Sequence, residues 1–310
     1  MKVFSMFSGI GGFDLAMRNL GHEIVGACEI DKYAREVYSR HFPGVPIHND
    51  ATQVSPESLP QFDVLCAGFP CQAFSIAGKR RGFEDTRGSL FFEIARVAKE
   101  KKPSILLLEN VKGLLSHDKG ETFRTIISTL DEMGYDAEWQ LLNSKYFVPQ
   151  NRERIFIIGH LRGQCARQVF PLGDYDKETN RQIKKLNQAR QGYRVYDTSG
   201  IGQTLAANAG GLGAKMGLIA IPTLTPDREE KRQNGRRFKE DGEPAFTLNT
   251  QDRHGVFDGI RIRKLTPTEC ERLQGFPDGW TKGLSDTQRY KCCGNAVTVP
   301  VVQYIASHFE

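Results

Sequence analysis

Residues 2–20 read KVFSMF (2–7), SGIGG (8–12) and FDLAMRNL (13–20). A short apolar run enters a turn carrying Gly9, Gly11 and Gly12, then a stretch with apolar residues at helical spacing. Strand, glycine-rich turn and helix open a βαβ unit whose turn lies beyond the carboxyl end of the strand. Glycines there let the chain turn tightly and let a ligand approach the backbone. The run is not G-x-G-x-x-G, so by itself it fits a binding loop and a plain tight turn equally well.

The same alternation continues outward. His22–Cys28 reads as a second strand ending at Glu29, and Lys32–His41 as a helix. Phe62–Ala67 is a strand that runs into Gly68-Phe69-Pro70-Cys71-Gln72. Ser89–Lys99 is helical, with Leu90, Ile94 and Val97 on one face. Ser104–Leu108 is a fully apolar strand ending at Glu109-Asn110. Glu121–Met133 is a helix, and Asp136–Leu142 and Arg154–Gly159 are strands. Strands separated by helices of this length predict a doubly wound, mostly parallel α/β sheet. In such sheets ligands bind beyond the strands' carboxyl ends. Gly9–Gly12, Glu29, Asp50, Cys71 and Glu109 are all expected there.

Each of these has a chemical reading beside a plain one. An acidic residue at the end of the second strand can accept both hydrogen bonds of a ribose diol, which suits Glu29. Asp50 could accept from an adenine amino group, although Asn49-Asp50 also reads as turn chemistry. Pro70 has a fixed φ and sets the direction of the chain into Cys71, the one cysteine expected on an exposed functional loop. Lys79-Arg80-Arg81-Gly82 is a basic segment suited to a phosphate backbone. Glu109 sits where a carboxylate can carry a proton, or can cap a following helix. Arg152 and Arg154 are two apart, so an extended backbone turns both guanidiniums to one side.

Residues 161–262 differ in character: Gly, Asn, Gln, Thr and basic residues are frequent and apolar periodicity is poor. Asp227–Gly242 is highly charged and reads as a loop. Regular pattern resumes after Arg261. Thr266 is expected to cap a helix with Pro267 and Glu269 in the first turn, and Ala296–His308 reads as a closing helix. The organisation expected is a first domain over 1–165, a smaller loop-rich domain over 166–260, and a return to the first domain over 261–310.

The chain has 310 residues, 39% hydrophobic and 25% charged, with a net charge of +5. That is a globular composition rather than a disordered or fibrous one. No apolar run approaches the ~18 residues of a membrane span, and the N-terminus does not read as a signal peptide. Residues 1–160 hold 19 Lys/Arg against 20 Asp/Glu; residues 161–310 hold 23 against 17. The second half is therefore the side expected to meet a polyanion. Seven cysteines without metal spacing read as reduced thiols of a cytoplasmic protein.

Six motifs stand in order: FSGIGG (7–12), GFPCQ (68–72), ENV (109–111), QNRER (150–154), RLQGFP (272–277) and GNAV (294–297). Together they resemble the DNA (cytosine-5) methyltransferases of the compact bacterial restriction–modification type. Residues 74–102 also resemble that family's catalytic loop and following helix. The resemblance covers the chain apart from most of 161–255.

The resemblance implies a Rossmann-like fold that uses S-adenosylmethionine, releases S-adenosylhomocysteine and needs no metal. The cofactor would lie over Phe7, Ser8, Gly9, Ile10, Gly11 and Gly12. Glu29 and Ile30 would hold its ribose side and Asp50 and Ala51 its adenine. Pro70 would border it, and Asn295, Ala296 and Val297, from the closing helix, would cover it. Cys71 would add to C6 of a flipped-out cytosine, Glu109 would bind N3 and the 4-amino group, and Arg154, with Arg152 near it, would hold O2. The DNA would meet Gln72, Ser75, Lys79, Arg80, Arg81 and Arg87 from one groove. From the other it would meet Gln191, Arg194 and either Thr204 or Thr247, each of which heads a Thr-Leu pair.

The resemblance further implies a monomer acting on duplex DNA, with a cognate restriction endonuclease as a possible companion. A tRNA cytosine-5 methyltransferase of the same superfamily is the principal rival. A non-catalytic DNA-binding module and a nicotinamide dehydrogenase are weaker ones, the last because it would need the missing G-x-G-x-x-G.

Overall fold

The computed structural model describes residues 1–70, 90–164, 168–172, 195–196, 218–219, 221–224, 238–239, 243–249, 254–257 and 262–309. Seven strands form one sheet: β1 (Lys2–Met6), β2 (Glu23–Cys28), β3 (Ile47–His48), β4 (Val64–Gly68), β5 (Ile105–Val111), β6 (Tyr135–Asn143) and β7 (Glu153–Leu161). Their order across the sheet is β3-β2-β1-β4-β5-β7-β6. Neighbours from β3 to β5 pair in parallel, while β7 runs antiparallel to both β5 and β6. The expected doubly wound, mostly parallel sheet is therefore what the chain forms, with one reversed strand.

The strands are apolar on both faces because helices cover both. On β5, Ile105 and Leu107 belong to one core and Leu106 and Leu108 to the other, following the two-residue alternation of a strand. The first core takes its helical share from α1 (Gly12–Asn19), α2 (Lys32–His41) and α7 (Val299–Ala306), through Met17, Val37 and Ile305. The second takes it from α3 (Leu90–Lys101) and α4 (Glu121–Glu132), through Ile94 and Leu130.

Beyond the sheet, β8 (Val195–Tyr196) pairs in parallel with β9 (Leu218–Ile219). Strands β10 (Ile221–Leu224), β11 (His254–Phe257) and β12 (Ile262–Lys264) form an antiparallel sheet. Helix α5 (Pro267–Leu273) begins with the expected capping box between Thr266 and Glu269. A small third core of Leu248, Val256, Leu265, Cys270, Leu273 and Cys293 joins this region to the helices that follow it.

Two boundaries differ from expectation. Strand β5 does not stop before Glu109; it continues to Val111 because β7 pairs with it as far as Val111 opposite Arg154. The closing helix expected from Ala296 starts only at Val299, as α7, and a separate helix, α6 (Asp286–Asn295), precedes it. Ala296 and Thr298 between them are extended, with ψ of 151° and 110°. Pro300 in the first turn of α7 has no N–H for the Ala296 carbonyl, and its ring would clash with that carbonyl in a continuous helix. Asn295 therefore ends α6, and residues 296–298 join the two helices.

Buried under the first turn of α1 is Asp14, fully inaccessible, with Oδ1 accepting from the Tyr38 hydroxyl at 3.1 Å. Burial lifts its carboxyl to about 6, opposed by the Ser5 and Tyr38 hydroxyls beside it. The folded chain thus binds this proton more tightly than the unfolded chain, so the Asp14 contribution to stability falls as pH rises from about 4 to about 6 and is flat above. Asp14→Asn should remove that slope. Urea titrations at pH 4.5 and 7 should show the variant gaining on the wild type at the higher pH, by about 2 kcal/mol.

Candidate active site and cofactor cleft

At the carboxyl end of β1 the backbone takes three left-handed residues, Phe7 and Gly9, each with φ of 55°, and Gly11 with φ of 86°. A phenylalanine there is strained, and strain of this kind persists where surrounding structure enforces it. Ser8 N–H anchors the turn on the Cys28 carbonyl at 3.0 Å, and the Trp280 indole N–H donates to the Ile10 carbonyl at 2.9 Å. A Cβ on Gly9 would meet nothing within 4 Å, so its outer face is open. A Cβ on Gly12 would stand 2.7 Å from Val297 Cγ1 and 3.2 Å from the Val297 carbonyl. Glycine at 12 is what lets residues 296–297 close over the turn.

Glu29 leaves β2 toward this turn. Its Oε2 accepts from Gly9 N–H and its Oε1 from Asp31 N–H, both at 2.8 Å. Each oxygen retains a lone pair for a further donor. Ile30 beside it is 72% exposed, a large apolar side chain with nothing over it. Ser8 Oγ is buried and has no hydrogen-bond partner among the described residues. Asp50 uses Oδ1 to cap the short helical turn Ala51–Gln53 through Thr52 N–H at 2.9 Å, so its turn chemistry is real. These features fit an adenine nucleoside: a diol acceptor, an apolar plate, an open glycine turn and an unspent hydroxyl.

The second half of the site lies across β4, β5 and β7. Gly68, the last residue of β4, is in register with Glu109, and a Cβ on it would come within 3.4 Å of Glu109 Oε2. Asn110 Nδ2 donates to the Phe69 carbonyl at 2.9 Å, which fixes the chain leaving β4 toward Pro70. Arg154 stands opposite Val111, diagonal to Glu109 on the same face. Its Nε lies 3.0 Å from Glu109 Oε1, with the two side chains only 17% and 11% exposed. The contact is close but not aligned as a hydrogen bond, so Oε1 keeps its acceptor capacity.

Arg152 does something the spacing does not reveal. It is 3% exposed, and its guanidinium donates to three carbonyls: Leu248 at 3.0 Å, Ala296 at 2.9 Å and Gly294 at 3.4 Å. Burial pulls it down to about 9, and the Arg154 charge adds to that while Glu109 opposes it. It therefore lies within electrostatic reach of the Glu109–Arg154 pair, as an extended QNRER predicts, but its two terminal nitrogens are spent on backbone, and its buried Nε has no hydrogen-bond partner among the described residues.

Gln150, fully buried, accepts from Leu248 N–H at 2.8 Å and donates to the Leu273 carbonyl at 2.7 Å. Thr247 Oγ1 donates to the Asn151 carbonyl, and Ala245 exchanges backbone bonds with Pro149 and Asn151. Residues 245–248 are thus stitched along 149–152. Arg152→Met would leave three buried carbonyls without their donor, costing about 3 kcal/mol or more. Thermal unfolding should move down by roughly 6 °C or more.

The structure brings together Phe7–Gly12, Glu29, Ile30, Asp50, Ala51, Pro70, Glu109, Arg154 and Asn295–Val297 along one sheet edge. Cys71, Gln72, Ser75, Lys79, Arg80, Arg81, Arg87, Gln191, Arg194 and Thr204 lie outside the described residues. Thr247 is described and sits against Asn151. Sequence reading missed Asn110, Gln150 and Trp280 as residues that hold the site; only their position inside or beside the ENV, QNRER and RLQGFP motifs marks them.

The cysteines that are described, Cys28, Cys66, Cys270, Cys292 and Cys293, are free and buried. Burial lifts the thiols of Cys28, Cys270 and Cys292 to about 12 and those of Cys66 and Cys293 well above their usual range. Among the described residues no cluster of three His, Cys, Asp or Glu is placed to hold a metal ion, and no helix is long and apolar enough to cross a membrane.

Comparison with known proteins agrees with this geometry. The chain is 36% identical to the orphan methyltransferase M.SPRI of Bacillus phage SPR, over 98% of its length and 96% of the relative. It is also 36% identical to the type II methyltransferase M.HhaI of Haemophilus parahaemolyticus, over 99% and 93%. The type II methyltransferase M1.ScrFI of Lactococcus lactis subsp. cremoris is 38% identical, over 98% and 77%. Among solved structures, S. pombe Dnmt2 methyltransferase superposes with a TM-score of 0.65 at 19% identity, over 99% of this chain and 97% of that one. Spodoptera frugiperda DNMT2 does so with 0.62 at 18%, over 99% of each. Both share the fold. The family model for C-5 cytosine-specific DNA methylases matches residues 1–310. With that match over a sheet whose carboxyl edge carries the glycine turn, Glu29 and the Glu109–Arg154 pair, the chain belongs to the C-5 cytosine-specific DNA methylase family.

Proposed function

We propose that this chain transfers a methyl group from S-adenosylmethionine to C5 of a cytosine flipped out of a specific short duplex DNA sequence, through a covalent bond between Cys71 and C6. The observation that carries the reading is the meeting, at one sheet edge, of a nucleoside-shaped cleft and a nearly buried carboxylate–guanidinium pair. A site for an electron-poor ring and a site for an adenine nucleoside lie side by side.

Cytosine C5 is a poor nucleophile in the intact ring. Addition of the Cys71 thiolate to C6 places the electron pair at C5 and N3. Glu109 shares a proton with N3 and accepts from the 4-amino group, and Arg154 holds O2 while orienting the carboxylate. The bound cofactor supplies a methyl group already activated by its sulfonium. After transfer a base removes the C5 proton, the electron pair re-forms the C5–C6 double bond and the Cys71 thiolate departs. The base must leave the helix stack first, at a cost of about a few kcal/mol.

Residues Phe7–Gly12, Glu29, Ile30, Asp50, Ala51, Pro70 and Asn295–Val297 hold the cofactor in this reading. Arg152 serves as the joint behind the site. The division into 1–165, 166–260 and 261–310 assigns catalysis to the first and third parts and target reading to the second. The setting is the bacterial cytoplasm, on chromosomal or phage DNA, with the enzyme acting as a monomer.

The DNA reading is favoured over the tRNA one by the family model and by relatives named as type II and orphan phage methyltransferases. Bisulfite sequencing of DNA from cells expressing the chain tests it. One short motif should be protected at one cytosine throughout the genome. Unprotected DNA together with methylated tRNA would overturn it.

A further inference from the structure

The nucleoside edge of the cleft has two lips, residues 29–31 and residues 50–54, and neither belongs to an element long enough to hold itself. Residues 29–30 lie in no element, Asp31 only caps α2, and the helical turn Ala51–Gln53 has three residues. Both lips are held from behind, through oxygen atoms, by cations. Arg35 on α2 donates to the Glu29 carbonyl at 2.9 Å and the Ile30 carbonyl at 2.6 Å. Arg96 on α3 donates to the Val54 carbonyl at 2.8 Å and the Ala51 carbonyl at 3.0 Å, with Nε tied to Glu93 at 2.9 Å. Lys291 on α6 reaches Asp31 Oδ2 at 2.6 Å, and Asp31 N–H in turn holds Glu29 Oε1.

We propose that Arg35, Arg96 and Lys291 are positioning residues that fix the two lips and thereby set the affinity for the adenine nucleoside of the cofactor. The inference rests on the reading of this cleft as the S-adenosylmethionine site. Charge-assisted bonds to a carbonyl are roughly twice as strong as neutral ones. A lip ordered in advance spares the ligand the entropy of ordering it. Without the cation the lip samples other arrangements and the ligand bears that cost. Arg35 and Arg96 each hold two carbonyls and should matter most. Lys291 is 47% exposed and its partner 24%, so solvent screens that pair and its effect should be smaller.

Calorimetric titration of the full chain without DNA, with S-adenosylhomocysteine and with 5′-methylthioadenosine, tests this. For Arg96→Met and Arg35→Met the Kd should rise about tenfold, and for Lys291→Met about threefold, by equal factors for both ligands because both carry the nucleoside. Arg96→Lys and Lys291→Arg should recover part of the loss. In turnover, KM for the cofactor should rise while kcat and KM for DNA stay near wild type. Lys291→Met alters only a surface pair, so it remains readable if the arginine variants fold poorly.

Unchanged affinity in folded variants overturns the proposal, as does a loss seen with S-adenosylhomocysteine but not with methylthioadenosine. A wild type that binds neither ligand overturns the cofactor reading itself, an outcome distinct from a wild type that binds and variants that match it.

Discussion

Cys71→Ser is expected to lose methyl transfer by about 10⁴-fold or more while still binding cofactor and DNA. The reason is the nucleophile's chemistry. A thiol supplies a few per cent thiolate at neutral pH and is intrinsically strongly nucleophilic, whereas a serine hydroxyl without a base beside it is neither. Cys71 follows, by three positions in the sequence, Gly68, the residue paired with Glu109. The cysteines held in the core have thiols pushed out of the reactive range by burial. Single-turnover transfer of labelled methyl to target DNA, with gel-shift and calorimetric binding alongside, reads both parts. Methylation at a normal rate would remove Cys71 from the mechanism.

Glu109→Gln should lower the rate of the chemical step by about 10²- to 10⁴-fold. The amide preserves shape and can still accept from the 4-amino group, but it cannot pass a proton to N3. It also leaves Arg154 without the carboxylate 3.0 Å from its Nε. Because both side chains keep a little exposure, the variant should fold with a melting point within a few degrees of wild type. Calorimetric affinity for S-adenosylhomocysteine should be unchanged, since the cofactor cleft is built on β1, β2 and the 50–54 loop. A rate within twofold of wild type would show that the ring charge is met by another group.

What could be read from the sequence was what local pattern dictates. The apolar runs of β1, β4 and β5, the helical spacing of α2 and the Thr266–Glu269 capping box need only neighbours along the chain. The edge on which Glu29 and Glu109 meet followed from the handedness and order of parallel units. What could not be read depends on partners distant in sequence. Arg152 was expected to face substrate, but the carbonyls it serves belong to residues 248, 294 and 296, almost a hundred positions or more away. Glu109 was expected beyond its strand, yet the length of β5 is set by its pairing with β7. Arg35 and Arg96 stand outside the six motifs, because what they hold is backbone, which carries no signature.

Trapping the wild-type enzyme on duplex DNA tests the covalent step most directly. The duplex carries 5-fluorocytosine at the cytosine that bisulfite sequencing identifies, and S-adenosylmethionine is present. Fluorine cannot leave as a cation, so elimination stops after methyl transfer. Expected is an SDS-stable protein–DNA adduct, with peptide mapping that places the link at Cys71. An enzyme that methylates the unmodified site yet yields no adduct on the fluorinated one, or an adduct at a different residue, would contradict a thiol bond to C6.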